Sequence, residues 1–222
     1  MALFKPKYIT FDCYGTLINF DMAGAAKATF ADRVSEEGMP AFVRDFAAYR
    51  LDEVLGAWKP YDQVVSNALR RTCNKWQVEY SPRDGDAIYT ACATWGPHPD
   101  VPAGLAKVAE AFPLVLLTNS MNDLITHHVP RLGAPIHMTI TAEEVGAYKP
   151  QMKGFEYMLD KLGCGPDEIL HVSSSLRYDL MTAHDLGITH KVFVSRGHEP
   201  STPYYGYTEI RDIGGLPAVV GL

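Results

Sequence analysis

The feature that most constrains the fold is a set of short apolar runs that alternate with amphipathic helical patterns. The runs are rich in β-branched and aromatic residues, as buried strands are, and they read KYITF, PLVLLTN, EILHVSS and HKVFVS at residues 7–11, 113–119, 168–174 and 190–195. Apolar residues at three-to-four spacing predict helices between these runs, over residues 102–112, 153–163 and 178–188. This alternation predicts βαβ units, and therefore an α/β fold with a doubly wound, Rossmann-like parallel sheet.

A long stretch after the first predicted strand interrupts the alternation. Residues 20–98 read as consecutive helices without a convincing strand, and the sequence WGPHPDVPAG, with three prolines and two glycines, leads back to the sheet as a loop. We therefore predict two domains, a core formed by residues 1–19 and 99–222 and a helical domain formed by residues 20–98. Near the end, EIRDIGGLPAVV predicts a last short strand and a helix.

Composition argues against several classes of protein. A net charge of −6 and a pI near 5.7 do not suit a nucleic-acid surface, which draws on clustered Lys and Arg. No apolar run approaches the roughly 20 residues that span a membrane, and the N-terminus lacks a signal-peptide layout. We therefore expect a cytoplasmic protein with no nucleic-acid or membrane partner. Its four cysteines are scattered without CxxC pairing, which favours reduced thiols over disulfides or a zinc site.

Polar residues follow the first three predicted strands, and a further loop, EEVGAYKP, brings a lysine. These residues are Asp12 and Thr16, then Thr118, Asn119 and Ser120, then Ser173, Ser174, Ser175 and Asp179, together with Lys149. Ligands bind outside the carboxyl ends of the strands in open α/β sheets, so this set predicts a single site. Taken one at a time, the same residues also fit plainer roles, because carboxylates and hydroxyls cap helices and lysines are commonly solvated.

Four motifs, FDCYGTL, LLTNS, AYKP and HVSSSLRYDL, fall in the order and roughly the spacing of the motifs of the haloacid dehalogenase superfamily. The likeness covers essentially the whole chain. Within the superfamily, the chain most resembles the L-2-haloacid dehalogenases (type II), and its helical insert corresponds to their cap domain. The resemblance implies that Asp12 is a nucleophile, and by analogy it also suggests a homodimer.

Two departures from the phosphatases of this superfamily favour dehalogenation. Tyr14 stands where those phosphatases carry a second Asp as general acid, and a departing halide needs no proton. Ser173 and Ser174 replace a Gly-Asp that helps to hold Mg²⁺, and a hard cation needs several oxygen ligands, so we expect no metal and no other cofactor. The resemblance thus implies metal-independent hydrolysis of short 2-haloacids to 2-hydroxyacids, with inversion at C2, through an aspartyl ester on Asp12.

Two alternatives stay open at this point. One is a magnesium-dependent phosphatase of the same superfamily, and the other is a non-catalytic binding protein that has kept the fold. Retention of Asp12, Thr16, Lys149 and Asp179 together argues against the second alternative.

The resemblance assigns roles to the remaining residues of the motifs. Lys149 and Asp179 organise the Asp12 carboxylate and the hydrolytic water, the hydroxyl groups donate hydrogen bonds to substrate or intermediate, and Asn119 helps to hold the halide. The catalytic candidates are Asp12, Thr16, Lys149, Ser174 and Asp179, and the substrate-binding candidates are Tyr14, Arg44, Arg50, Thr118, Asn119, Ser173 and Ser175.

The resemblance implies that the helical insert supplies an arginine to the site. Arg44 and Arg50 compete for this role, and inspection of the sequence does not decide between them. Trp58 and Tyr61 are candidates for an aromatic wall beside the substrate, with core packing as the alternative for both.

The chain also departs from the dehalogenase pattern. Ser175 stands where the family commonly has Asn, one extra residue separates it from Asp179, and Phe155 replaces a common Tyr, which puts the preferred substrate in question. Cys13 is interpreted as a buried apolar filler beside Asp12.

The histidines carry weaker signals. Those at positions 127, 128 and 171 lack a third ligand at a telling spacing and are interpreted as structural, while His184 has an alternative role in activating water. The Pro- and Tyr-rich residues 195–210 are predicted to form a loop with a packing or interface role.

Overall fold

The computed structural model describes residues 4–222, and a six-stranded sheet forms its centre. In chain order the strands are β1 (Tyr8–Phe11), β2 (Leu114–Thr118), β3 (Met138–Thr141), β4 (Ile169–Ser173), β5 (Lys191–Val194) and β6 (Thr208–Ile210). Every pairing is parallel, and the strand order is β3-β2-β1-β4-β5-β6. The predicted α/β fold with a doubly wound parallel sheet is confirmed.

The helices of the described residues fall into two groups along the chain. The helical stretch after β1 contains α1 (Met22–Phe30), α2 (Met39–Leu55), α3 (Tyr61–Trp76) and α4 (Pro82–Cys92). The helices that accompany the sheet are α5 (Val101–Ala109), α6 (Asn122–Ile125), α7 (Ala142–Val145), α8 (Lys153–Leu162), α9 (Met181–Asp185) and α10 (Leu216–Val219). A single π-helical turn, Leu176–Leu180, precedes α9.

Helix α8 illustrates how the apolar pattern builds the core. Its buried residues include Phe155, Met158 and Leu162, which belong to the same hydrophobic cluster as Val115 and Leu117 of β2. Leu-, Met- and Phe-type side chains at three-to-four spacing form one apolar face, so the helix buries that face and leaves its charged residues outside. Gly163 ends α8 in the left-handed conformation, which is common for a glycine at a helix C-terminus.

One strand of the sheet, β3, is absent from the predicted strands. It is a four-residue edge strand of sequence MTIT, and its first two residues are only partly buried. So short a run, with two threonines, does not stand out as apolar, and it forms because its backbone pairs with β2. The helix predicted over residues 178–188 is also replaced in part, because its first residues belong to the π-helical turn.

The described chain divides into two compact units. The core unit joins the residues up to Asn19 with Gly96–Leu222 and contains the whole sheet, and the helical unit, Phe20–Trp95, contains α1 to α4. The second boundary falls after Trp95, three residues before the predicted one. Residues 96–98 stay with the core unit because Asn19 N donates to Gly96 O and His98 N donates to Leu17 O, both at 2.9 Å.

Within residues 4–222, none of the helices combines the length and the apolar character needed to cross a membrane.

The close approach of α5 to the C-terminal segment gives a test of the core packing. A Cβ added at Gly104 would lie 2.7 Å from the carbonyl oxygen of Ile213, so Gly104→Ala should reduce the free energy of unfolding by about 1–3 kcal/mol. Gly154→Ala in α8 is the matched control, because its Cβ would meet only Leu117 Cδ1 at 3.7 Å. Urea denaturation measures both, and equal stabilities of the two variants would contradict this packing.

Candidate active site

Asp12 follows β1 directly, at the carboxyl edge of the sheet, and its backbone N–H donates to Val172 O at 3.0 Å. Its Oδ1 accepts a hydrogen bond from Lys149 Nζ at 2.8 Å, and its Oδ2 accepts one from Thr16 Oγ1 at 2.6 Å. Gly15 adopts φ +91°, a value that favours glycine, and this turn brings Thr16 back beside the carboxylate. The carboxylate is therefore buried and oriented while each oxygen keeps a lone pair available.

The ammonium group of Lys149 is saturated by three acceptors. It donates to Asp12 Oδ1 at 2.8 Å, to Asp179 Oδ1 at 2.7 Å and to the carbonyl oxygen of Leu117 at 2.8 Å. The side-chain amide of Asn119 holds the backbone of the same lysine, because its Oδ1 accepts from Lys149 N at 2.7 Å and its Nδ2 donates to Lys149 O at 2.9 Å. Lys149 thus fixes both carboxylates, and Asn119 fixes Lys149.

Thr16 ties the loop after β1 to the loop after β4. Its only hydroxyl proton goes to Asp12, so the 3.1 Å contact with Ser174 Oγ requires the serine to donate. Thr16 Oγ1 also accepts from the backbone N–H of Ser174 at 2.8 Å. Both acceptor positions of the threonine oxygen are filled, which fixes the direction in which it donates to Asp12.

Burial and charge set the ionisation of these groups. Burial raises the pKa of Asp12, and the nearby Lys149 ammonium opposes this rise only in part. Burial also acts to raise the pKa of Asp179, but Lys149 and His171 outweigh it and hold that pKa below its usual range. Burial acts to lower the pKa of Lys149, whereas the two carboxylates raise it above the ordinary value, so the lysine stays an ammonium.

Two of the predicted substrate-binding serines already have hydrogen-bond partners within the protein. Ser173 Oγ accepts from the backbone N–H of Ser175 at 3.0 Å. Ser175 Oγ accepts from Tyr178 N at 3.1 Å and donates to Glu199 Oε1 at 2.8 Å. Of the serine run, Ser174 is the member whose side chain hydrogen-bonds with the residues around Asp12.

Asp179 lies within the π-helical turn. The backbone N–H of Leu180 donates to the carbonyl oxygen of Ser175, five residues earlier, at 3.2 Å. The carboxylate of Glu199 accepts from the backbone N–H groups of the first two residues of the turn, at 2.9 and 3.2 Å. The turn that carries Asp179 is therefore capped by a side chain from a separate part of the chain.

A second residue of the loop after β5, Arg196, supports the loop that carries Asp12 and Thr16. Arg196 pairs with both carboxylate oxygens of Asp100 at 2.8 Å and donates to the carbonyl oxygen of Thr16 at 3.0 and 3.2 Å. Bidentate arginine–carboxylate pairs have a fixed geometry, so this contact holds the backbone beside Asp12.

Other predicted residues of the core unit lie at the same edge of the sheet. Tyr14 Oη lies 3.2 Å from Ser120 Oγ, and its ring meets His128 edge-on. Thr118 Oγ1 is buried and has no hydrogen-bond partner among the described residues. A buried hydroxyl in this state is a candidate donor to a ligand.

The helical unit distinguishes its two candidate arginines. Arg44 is exposed, whereas the guanidinium carbon of Arg50 lies 5.0 Å from the ring centre of Phe46 and 5.4 Å from that of Phe20. Arg50 Nη1 donates to the hydroxyl of Tyr61 at 3.1 Å, and its Nε is buried without a partner among the described residues. Of the two aromatic candidates, Tyr61 is buried and Trp58 is exposed.

Three residues at the site were not predicted for it: His171, Arg196 and Glu199. His171 is a polar residue inside a buried strand, and the sequence analysis interpreted it as structural. In the structure its Nε2 lies 3.1 Å from Asp179 Oδ1. Arg196 and Glu199 belong to the loop for which packing was predicted.

Two other residues that the sequence analysis weighed are His184 and Cys13. The ring of His184 packs against Tyr204 and Tyr205. Cys13 is fully buried, and burial raises the pKa of its thiol.

Among residues 4–222, no group of three or more His, Cys, Asp or Glu side chains is arranged to hold a metal ion.

Removing the Lys149 ammonium tests how much the protein's stability depends on its pairing with the carboxylates of Asp12 and Asp179. We expect Lys149→Met to reduce the free energy of unfolding by about 3–5 kcal/mol at neutral pH, because two buried carboxylates lose their cation. Their pKa values in the folded variant then lie above those of the unfolded chain, so protonation favours the folded state and the deficit should shrink toward about pH 5.

The matched control for this measurement is Lys191→Met. It also removes a buried ammonium, whose Nζ donates to the Ile188 carbonyl. Its stability deficit should not recover on acidification in the same way. Denaturation at neutral pH and at about pH 5 measures the stability of both variants. A Lys149→Met deficit that does not depend on pH would contradict the charge balance at the site.

Two curated proteins are similar to this chain over most of its length. An (S)-2-haloacid dehalogenase of Pseudomonas sp. (strain YL) is 26% identical over 220 residues, covering 93% of this chain and 92% of that protein. The (S)-2-haloacid dehalogenase 4A of Burkholderia cepacia is 24% identical over 212 residues, covering 90% and 87%. The solved L-2-haloacid dehalogenase from Xanthobacter autotrophicus shares the fold, with a TM-score of 0.78 at 21% identity over 98% of this chain and 99% of that chain.

A family model described as haloacid dehalogenase-like hydrolase matches residues 6–187, well over half of the chain. The matched residues include Asp12, Thr16, Lys149 and Asp179, which the structure brings together. The chain therefore belongs to the haloacid dehalogenase-like hydrolase family.

Proposed function

We propose that this protein hydrolyses the carbon–halogen bond of short 2-haloacids, releasing 2-hydroxyacids with inversion at C2 and without a metal. The observation that carries the proposal is the buried Asp12 carboxylate, held at 2.8 Å by the Lys149 ammonium and at 2.6 Å by the Thr16 hydroxyl. The relatives named as (S)-2-haloacid dehalogenases supply the substrate class and its enantiomer.

In the first step an Asp12 oxygen attacks C2 of the substrate from the side opposite the halogen. A carbon–oxygen bond forms, the carbon–halogen bond breaks, and the electron pair leaves with the halide. Lys149 keeps the buried carboxylate ionised and the hydrogen bonds fix its direction, so the nucleophile needs no reorientation. A halide leaves as a stable anion, so Tyr14 in the position of a phosphatase acid is no obstacle.

In the second step water attacks the carboxyl carbon of the Asp12 ester. One water proton passes to Asp179, and collapse of the tetrahedral adduct breaks the bond between that carbon and the product oxygen. The product takes the proton from Asp179, and the regenerated Asp12 carboxyl releases the other to solvent. C2 reacts only once, which gives inversion, and one proton is released for each halide.

The substrate carboxylate needs donors that the protein has not already engaged. The three hydrogens of the Lys149 ammonium all bind acceptors within the protein. The buried Thr118 hydroxyl has no partner among the described residues, and Asn119 Nδ2 uses one of its two hydrogens on Lys149 O. We assign Thr118 to the substrate carboxylate and the second amide hydrogen of Asn119 to the halide.

An isotope experiment tests the aspartyl ester. In a single turnover of (S)-2-chloropropionate in H₂¹⁸O with enzyme in excess, ¹⁸O should enter Asp12 and not the released lactate, because water attacks the Asp12 carbonyl. Mass spectrometry of the peptide that contains Asp12 measures the label. Asp12→Asn should release no chloride, whereas Cys13→Ala should retain activity because the buried Cys13 thiol is interpreted as an apolar filler.

Two outcomes would overturn the proposed function. Label that appears first in lactate would mean that water attacks C2 directly. Phosphate release from p-nitrophenyl phosphate with added Mg²⁺, without chloride release in EDTA, would instead support the phosphatase alternative.

The contrast between the two arginines gives a further prediction. We propose Arg50 as the substrate ligand from the helical unit, since its Nε is buried and without a partner among the described residues. Arg50→Ala should lower kcat/KM by about 10- to 100-fold, the loss expected for a hydrogen bond to a charged group. Arg44→Ala, at an exposed position of the same helix, should stay within about 2-fold of the wild type. Steady-state chloride release measures kcat/KM of both variants, and equal losses of kcat/KM would contradict the assignment of Arg50.

A further inference from the structure

The imidazole of His171 is fully buried in β4 and contacts polar groups at both ring nitrogens. Its Nδ1 lies 2.8 Å from Thr10 Oγ1, on the residue that pairs with it across β1 and β4, and its Nε2 lies 3.1 Å from Asp179 Oδ1. Phe155 packs edge-on against the ring, with 5.0 Å between ring centres. Contacts on both nitrogens and on one edge leave the ring a single orientation.

These partners define where the ring proton lies. An ionised Asp179 only accepts hydrogen bonds, so Nε2 must carry a hydrogen that it donates to Oδ1. In the neutral ring Nδ1 is then an acceptor, which the Thr10 hydroxyl satisfies by donating to it. The result is a buried series of two hydrogen bonds, in which Thr10 donates to His171 and His171 donates to Asp179.

The hydrogen bond from His171 reaches one carboxylate oxygen of Asp179 and not the other. Oδ1 accepts from both Lys149 Nζ at 2.7 Å and His171 Nε2. Oδ2 is buried and has no hydrogen-bond partner among the described residues. A buried carboxylate oxygen without a partner is costly unless a ligand or water completes it. The two donors on Oδ1 thus present Oδ2 as the free acceptor.

We propose that His171 is a positioning residue for the hydrolysis of the ester, because it holds Asp179 so that Oδ2 receives the proton of the attacking water. The inference rests on the proposed function, whose second step uses this proton transfer. It assigns His171 no part in the first step, because the ring contacts Asp179 and not Asp12. Loss of the ring donor should therefore slow hydrolysis of the ester and leave the rate of ester formation unchanged.

The test compares His171→Phe, which keeps an aromatic ring without a donor, with His171→Gln, whose side-chain amide restores one. With (S)-2-chloropropionate, His171→Phe should release a rapid burst of chloride close to one per enzyme, followed by turnover about 10- to 100-fold below wild type. Mass spectrometry of the quenched protein should show the acyl adduct accumulating on Asp12. His171→Gln should recover part of the turnover, and Thr10→Val should show a smaller loss of the same kind.

A nitrogen NMR spectrum of the imidazoles supplies a readout that does not need turnover. In the wild-type protein His171 should show a protonated Nε2 and a bare Nδ1, and Asp179→Asn should shift the Nε2 proton. If Nε2 carries no proton, the proposed hydrogen bond is wrong.

The outcomes separate the two proposals. If the wild type forms the ester but His171→Phe slows its formation and its hydrolysis equally, the proposed function survives and the role of His171 fails. If the wild type forms no ester with 2-haloacids, the proposed function fails, and the step assigned to His171 fails with it even where the hydrogen bond is seen.

Discussion

The site depends on one ammonium group placed between two buried carboxylates. Without Lys149, Asp12 and Asp179 would repel each other in a region of low polarity, and at least one would take up a proton. With it, the two carboxylates lie in one site as the ionised groups that the proposed function needs for a nucleophile and a base. Because the same ammonium also donates to the Leu117 carbonyl at the end of β2, its position is tied to the sheet.

Rigid parts of the fold support this arrangement from several sides. Asn119 holds the backbone of Lys149, Arg196 holds the backbone of Thr16, and Glu199 caps the turn that carries Asp179. The partners come from the loops after β2 and β5, so the loops at one edge of the sheet brace one another. A catalytic group on a loop reaches the precision of a strand when such hydrogen bonds fix it.

The sequence predicted the parts of the structure that depend on local pattern. Strands β1, β2, β4 and β5 are strongly apolar, and the rule that ligands bind at the carboxyl ends of parallel strands predicted that Asp12 and Asp179 share one edge of the sheet, to which the prediction added Lys149 from a further loop. Strand β3 and the roles of His171 and Glu199 depend on which backbone or side chain lies opposite in the folded chain. A glutamate in a proline- and tyrosine-rich loop carries no local sign that its carboxylate will cap a turn elsewhere.

The capped π-helical turn has a consequence for how this protein can diverge from its relatives. An extra residue beside a buried aspartate would ordinarily displace it, but a π-helical turn holds more residues than an α-helical turn, and here β4 keeps its pairing with β1. The change in length is confined to the turn. Because Glu199 caps that turn, the loop that carries Glu199 must change together with it. Substitutions in that loop thus provide an evolutionary route for adjusting the surroundings of Asp179 while Asp12 and Lys149 stay unchanged.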